Sequence, residues 1–561
     1  MDIRADTATF MRLLQLALYR YRYPAVDEIR IASPAHRTCA ARKNNPQISF
    51  WFRCDLRPHV RNPDRQRELP LKYRDAVAQL LSLADFERKS RVGEPPDFHL
   101  RRMEVLLARL GNPELATPTI HVAGSKGKGS SSAMIASVLT AAGLRTGLFT
   151  SPHLHRITER IRVDMNEIST DRFSALIEEL WPDVEAVEQR EDVGKVSVFE
   201  LLTAMSFIEF RSVKADVQVI EVGLGGRLDA TNLVVPDVAV ITPISLDHTA
   251  VLGDTISKIA FEKAGIIKPG VPVVVGNQVP AARLVIEEAA WRRGSEVTYA
   301  HDRMAIVRGP EQTITDYAKP VQCLALKSSS NTYELELPLA GAHQVDNLMT
   351  AIAALETFVR KRNLTISADS VSRGIAGVRW PARAEVLTSP DDDIQIIVDG
   401  AHNSSSAAAL VSTLESLFPS ATCPVVMYAG SGGHDFAATA REFSRLNPRV
   451  IVTRTRHPKA VSAETVAEAL RRDTIPVAAV TPDVESALRE ARAIASTGDV
   501  IVATGSLFLA AEVREILLSI TPELYPDLRG EMMPSYEIPT LTAPTQDPED
   551  QTGPESQQSA P

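Results

Sequence analysis

One stretch restricts the possible folds more than any other. The apolar run Thr119-Ile120-His121-Val122-Ala123 enters Gly124-Ser125-Lys126-Gly127-Lys128-Gly129-Ser130 and leaves it as a helical stretch from Met134 to Ala142. A strand that turns through glycines into a helix is a phosphate-cradling arrangement. Glycines let backbone N–H groups approach anionic oxygens, and the helix N-terminus adds a favourable dipole. Further apolar runs at 216–222, 238–241 and 271–275 alternate with helical segments. That alternation predicts a mostly parallel α/β sheet covered on both faces.

A second alternation begins near Glu385, with strands predicted at 394–398, 425–428, 450–453 and 499–503. Arg379-Trp380-Pro381-Ala382-Arg383 lies at the join. Four segments follow. Residues 1–70 read as a poorly ordered Arg-rich extension, 71–380 as an ATP-binding domain, 381–520 as a smaller Rossmann-like domain and 521–561 as a disordered tail rich in Pro, Gln, Ser and Thr. Ahead of the first strand, apolar spacing predicts helices over 73–89 and 100–110.

Composition removes several function classes. A net charge of −9 argues against a protein built to coat nucleic acid. No apolar run approaches the roughly 18 residues of a membrane span. Cys39, Cys54, Cys323 and Cys423 lie too far apart to read as a disulfide framework or zinc knuckle. A cytoplasmic enzyme that binds neither nucleic acid nor membrane remains.

Within the glycine turn, Lys128 supplies a point charge for the outer phosphates and Ser130 a hydroxyl for Mg²⁺. The spacing is not that of G-x-x-x-x-G-K-S/T: Val122 stands where the first glycine belongs, and Gly129 separates lysine from serine. Glu200 falls on an apolar helical stripe with Ala204 and Phe207, so its carboxylate must find a cation or a proton. Glu221-Val222-Gly223-Leu224-Gly225-Gly226-Arg227-Leu228-Asp229-Ala230-Thr231-Asn232 ends a strand with three glycines, as suits a backbone approaching ligand. Ser151-Pro152-His153-Leu154, Asp247-His248 and Glu262-Lys263 are each ambiguous alone. They read equally as a proline turn, a structural histidine and a surface ion pair.

Their order is distinctive. With His343-Gln344-Val345-Asp346-Asn347, Asp399-Gly400-Ala401-His402-Asn403, Thr453-Arg454-Thr455-Arg456-His457-Pro458 and Thr504-Gly505-Ser506-Leu507-Phe508, these segments resemble the folylpolyglutamate synthase/dihydrofolate synthase family of the Mur ligase superfamily. The resemblance runs from about Tyr73 to Leu518. It implies a ligase that uses ATP to activate a pterin-linked carboxylate as an acyl phosphate, releasing ADP, and then couples it to L-glutamate.

By the same resemblance, Gly124, Ser125, Lys126, Gly127, Lys128, Gly129 and Ser130 would hold ATP phosphates, joined by Asn347, Arg383 and Asp399. Ser151, Glu200 and His248 would serve two Mg²⁺ sites, and Lys263 matches a lysine carbamylated in the family. His402 and Ser506 match residues implicated in glutamate use. The implied partners are ATP, L-glutamate and dihydropteroate or a reduced folate, acting on a monomer. Lys126 stands where the family usually has Asn, and Gly432-Gly433-His434-Asp435 replaces its usual Asp-Lys-Asp.

Both acceptors together would make the chain a bifunctional dihydrofolate synthase/folylpolyglutamate synthase, and one alone a monofunctional folylpolyglutamate synthase. The deciding pterin contacts would lie in loops such as Asp97-Phe98-His99. A P-loop kinase or NTPase would need Lys128 and Ser130 but not Asp399, His402 or Ser506.

Overall fold

The computed structural model describes residues 71–85, 100–313, 320–388, 394–419, 423–433, 435–496 and 498–524. The expectations for residues 1–70, 97–99, His434 and the tail from 525 lie outside them.

The first sheet has eight strands: β1 (Thr119–Ala123), β2 (Thr146–Phe149), β3 (Ile161–Val163), β4 (Asn166–Glu167), β5 (Val217–Glu221), β6 (Val238–Ile241), β7 (Val273–Val275) and β8 (Val297–Tyr299). Their spatial order is β4-β3-β2-β5-β1-β6-β7-β8. All neighbours run parallel except at the β2-β3-β4 edge. Every residue of β1, β2, β5, β6 and β7 is buried, because helices cover both faces. This is why those strands read as continuous apolar runs. In register, Val122 pairs with Glu221 and Ala123 with Ile241. The carboxyl ends of three adjacent strands are therefore level, and the loops that leave them emerge side by side.

The helix Lys128–Ala141 shows no apolar stripe because it is enclosed all round, by the sheet and by the helices Ala342–Arg362 and Ala368–Ala376. Gly374 allows the closest approach: a Cβ there would lie 2.5 Å from Val138 Cα. The predicted helix over 73–89 ends earlier, at Leu81. The chain then leaves the helix so that Ala84 can pair with Ser197, and Ala84 O accepts the Val198 N–H at 2.9 Å.

A three-stranded antiparallel sheet follows, β9 (Met304–Thr313), β10 (Val321–Ser328) and β11 (Thr332–Leu337). Its apolar stretches, at 304–307 and 323–326, are not among the runs from which strands are expected. Thr332 to Leu337 alternates exposed with buried residues, as a sheet with only one covered face requires.

The last sheet contains β12 (Glu385–Thr388), β13 (Gln395–Val398), β14 (Val425–Tyr428), β15 (Arg449–Val452), β16 (Val477–Val480) and β17 (Val500–Thr504), in the order β12-β13-β17-β14-β15-β16. Only β12 is antiparallel to its neighbour. Among the described residues no helix is long and apolar enough to cross a membrane.

Candidate active site

The glycine turn leaves β1 and is pinned from behind. Ser125 and Lys126 donate their backbone N–H groups to Pro243 O at 3.0 and 3.1 Å, and Ser125 Oγ donates to Ser245 O at 3.0 Å. Gly127, in the left-handed region at φ 82°, precedes the helix Lys128–Ala141, whose first turn has no side-chain cap. Its N–H groups therefore lack the usual protein acceptor. Side chains would block this cradle. A Cβ on Gly124 would collide with the Thr242 hydroxyl and one on Gly127 with the Asn347 amide. At Gly129 it would lie 3.0 Å from the Trp380 ring, over which Arg162 lies 5.1 Å from the centroid. Asn347 is oriented by donating from Nδ2 to Gln344 Oε1 at 3.0 Å. Ser130 is buried in the first turn.

Lys128 sets the electrostatics of the neighbouring loops. Its charge acts on Glu221, Asp247, His248 and Lys263. Glu221 ends β5 and is buried. Burial pushes its carboxyl above the usual range, while Lys128, the Ser151 N–H (3.1 Å to Oε2) and Arg383 pull it back. Lys263, 3% exposed, donates from Nζ to Gly124 O at 2.8 Å. Burial first, and Lys128 second, push its ammonium down to about 7. His248 has a left-handed backbone (φ 49°) and a half-exposed ring. Desolvation, assisted by Lys128 and Lys263, pushes it down to about 4 against the opposing pull of Asp247.

Glu200 does not join this cluster, and its assignment as a metal ligand is corrected. It is the third residue of the helix Val198–Ser212. Its Oε2 accepts the Ser197 N–H and Oγ–H, both at 2.8 Å. Arg102 Nε lies 2.9 Å from both carboxylate oxygens. The carboxylate on an apolar stripe has found its cation, leaving little capacity for a metal. Glu221 is the buried acid beside Ser151. A carboxylate closing a buried strand, two residues before a glycine turn, was the signal for it in the sequence.

The other sheet presents its own loop across the cleft. Asp399, just after β13, accepts the Ala384 N–H on Oδ2 and the Ala401 N–H on Oδ1, each at 2.7 Å. Burial pushes its carboxyl up, opposed chiefly by Arg383. Arg383 donates to Ala382 O at 2.7 Å. His402 lies on the same loop, with Nδ1 2.8 Å from Gly400 O and Nε2 3.5 Å from Lys126 Nζ. Ser506 is placed further along the carboxyl edge. It caps the helix Leu507–Leu518 and lies 3.4 Å from Ser431, Oγ to Oγ.

The model of the Mur ligase middle domain matches residues 122–355, and that of the Mur ligase glutamate ligase domain matches residues 382–507. Folylpolyglutamate synthase of Lacticaseibacillus casei is 34% identical over 461 residues, covering 80% of this chain and 99% of that one. The chain belongs to the folylpolyglutamate synthase/dihydrofolate synthase family of Mur ligases. As a member of that family it is an ATP-dependent ligase. Dihydrofolate synthase/folylpolyglutamate synthase of Mycobacterium tuberculosis is likewise 34% identical over 470 residues, covering 79% of this chain and 94% of that one. A solved structure of Mycobacterium tuberculosis folylpolyglutamate synthase complexed with ADP and AMPPCP aligns with a TM-score of 0.71 at 32% identity, over 80% of this chain and all of that one. The Mur ligase architecture expected from the sequence is thus the architecture of this family member.

The residues of the cluster suit Mg²⁺ held together with a nucleotide. Among the described residues there is no group of three or more His, Cys, Asp or Glu side chains able to form a closed cage. Magnesium bound with nucleotide needs only one or two carboxylates, the rest of its shell coming from water and phosphate oxygens. Glu221, beside Ser151 and within reach of Lys128, meets that requirement.

Proposed function

We propose that this chain joins L-glutamate to pterin-linked carboxylates, taking both dihydropteroate and folyl-glutamate as acceptors, with ATP cleaved to ADP. The observation that carries this reading is the facing of two loops. The phosphate loop of the first sheet and the Asp399–His402 loop of the last sheet meet across one cleft, Lys126 Nζ lying 3.5 Å from His402 Nε2. Phosphates held by the first loop thus face His402, a side chain fit to handle a second substrate. A simple NTPase has no need of the second loop.

In this reading the uncapped N–H groups after Gly127 and the Lys128 ammonium hold the outer phosphates, while Asn347, Arg383 and Asp399 hold the rest of the nucleotide. Ser151, Glu221 and His248 would hold Mg²⁺, which when bound neutralises triphosphate charge. The acceptor carboxylate attacks the γ-phosphorus, ADP leaves, and an acyl phosphate remains. The α-amine of glutamate then attacks the acyl carbon and phosphate departs. Both steps demand that reactants be held in line and water be kept out. A cleft closed by two lobes supplies both. Lys263, with its amine poised near neutrality, is nucleophilic enough towards carbon dioxide to carry a carbamate near His248 and Asp247.

The test is ADP release from the purified protein with MgATP and L-glutamate, comparing dihydropteroate with a reduced folate. Glutamate-dependent release with both acceptors supports the bifunctional ligase. Release with one alone selects a monofunctional synthase, and glutamate-independent release favours the NTPase.

A further inference from the structure

Lys126 lies in the phosphate loop, yet its ammonium is directed elsewhere. Nζ donates to Asp247 Oδ2 at 3.1 Å and reaches His402 Nε2 at 3.5 Å. At the other end of the residue, the backbone N–H is held by Pro243 O. One residue therefore ties together three segments: the turn after β1, the loop after β6 and the loop after β13. Lys128 and Arg383 surround the ammonium with like charge, so Asp247 is what keeps it in place.

The hydrogen bonding of His402 gives this tie a chemical direction. Gly400 O can only accept, so the proton on the ring belongs to Nδ1. In the neutral ring Nε2 is then a bare lone pair, and a lysine ammonium, which has donors and no acceptor, is the right partner for it. The His402 loop also has an organisation of its own within its lobe. Asp399 holds Ala384 and Ala401, Gly400 N donates to Ala382 O, and Asn403 caps the helix Ser404–Leu417. Removing the Lys126 ammonium should leave that loop folded and loosen its registration against the nucleotide-binding lobe.

We propose that Lys126 is a positioning residue for the amide-forming step, acting through His402 to register the glutamate side of the cleft against the phosphate loop. This rests on the ligase reading above. A phosphate-binding lysine would instead govern ATP affinity.

The experiment is a double-mutant cycle on the full chain, with Lys126→Met, His402→Ala and the pair. KM for glutamate, kcat and nucleotide affinity by equilibrium binding are measured, with Lys126→Arg as the conservative rescue. Lys126→Met should raise KM for glutamate about tenfold, as loss of one charge-assisted bond implies. Nucleotide affinity should change by less than about twofold, and the pair should be no worse than His402→Ala alone. Lys126→Arg should recover most of the loss. Additive effects in the pair, or a fall in ATP affinity with KM for glutamate unchanged, would overturn the assignment. Lys126→Gln replaces Lys126→Met if the latter has a lowered Tm. A wild-type protein without glutamate-dependent ADP release would overturn the ligase reading itself, and this inference with it. An active wild type with an additive cycle would overturn this inference alone.

Discussion

Glu200 and Glu221 are both buried acids on apolar elements, and their neighbours give them different tasks. Glu200 meets an Arg102 guanidinium and a helix-capping serine. Its replacement by Gln would strand a buried cation, which costs about 3 kcal/mol. Glu200→Gln should lower Tm by several degrees, and Arg102→Met/Glu200→Leu should recover part of the loss, as read by thermal unfolding. Glu221 meets the Ser151 backbone N–H and the fields of Lys128, Arg383 and Arg160. Glu221→Gln should keep Tm within about 2 °C and abolish most MgATP-dependent ADP release. Near-wild-type turnover would remove Glu221 from the metal site. Lys263 offers a test by pH. With its ammonium pushed down to about 7, the amine is mostly protonated at pH 6 and mostly neutral at pH 8. Only the neutral amine adds carbon dioxide. A carbamate carbon signal in labelled bicarbonate should therefore grow from pH 6 to pH 8 and be missing in Lys263→Ala.

The helix behind the phosphate loop shows how an element's surroundings erase its sequence signature. The Lys128–Ala141 helix is buried from Ser130 to Leu139, so serines and alanines pack where an amphipathic helix would show a polar face. Its contact with Gly374 leaves no room for a methyl group. Gly374→Ala should cost about 2 kcal/mol by overpacking, although alanine favours helices. Gly270, at φ 69° with nothing within 4 Å of its would-be Cβ, provides the contrast. Gly270→Ala should cost only the backbone strain, about 1 kcal/mol. Thermal unfolding of the two variants should separate them in that order. The opposite case is the β9-β10-β11 sheet, where only β11 alternates cleanly and the four-residue apolar stretches at 304–307 and 323–326 do not by themselves tell a strand from a buried helix segment.

At the scale of the molecule, the two lobes also touch away from the cleft. His155, on the loop after β2, has Nδ1 3.1 Å from Glu515 Oε1 and accepts from Arg514 Nε at 3.3 Å, while Arg456 pairs with the other oxygen of Glu515. The loop that carries Ser151 is thereby fastened to the helix Leu507–Leu518, which Ser506 caps. On the ligase reading proposed above, substrates entering between the lobes would work against this fastening or be closed in by it. Glu515→Gln should raise the radius of gyration in solution scattering and raise KM for glutamate. Its nucleotide affinity should stay close to wild type, since neither side chain touches the phosphate loop.

The parallel sheet was legible in the chain because strands buried on both faces are mostly apolar. The phosphate loop was legible because its glycines, lysine and helix adjoin one another. The order of motifs carried the family for the same reason: each motif is local, and a resemblance needs only their succession. The sequence even required that Glu200 find a cation or a proton, but it did not say which. Tertiary structure decided that, since Arg102 lies 98 residues from Glu200 and Ser151 lies 70 from Glu221. It likewise directed Lys126 to Asp247 and His402, 121 and 276 residues away. A buried charge is an energetic demand that composition can announce. Which partner meets it depends on strand order and on the packing of helices over the sheet, and those are settled only when distant segments lie side by side.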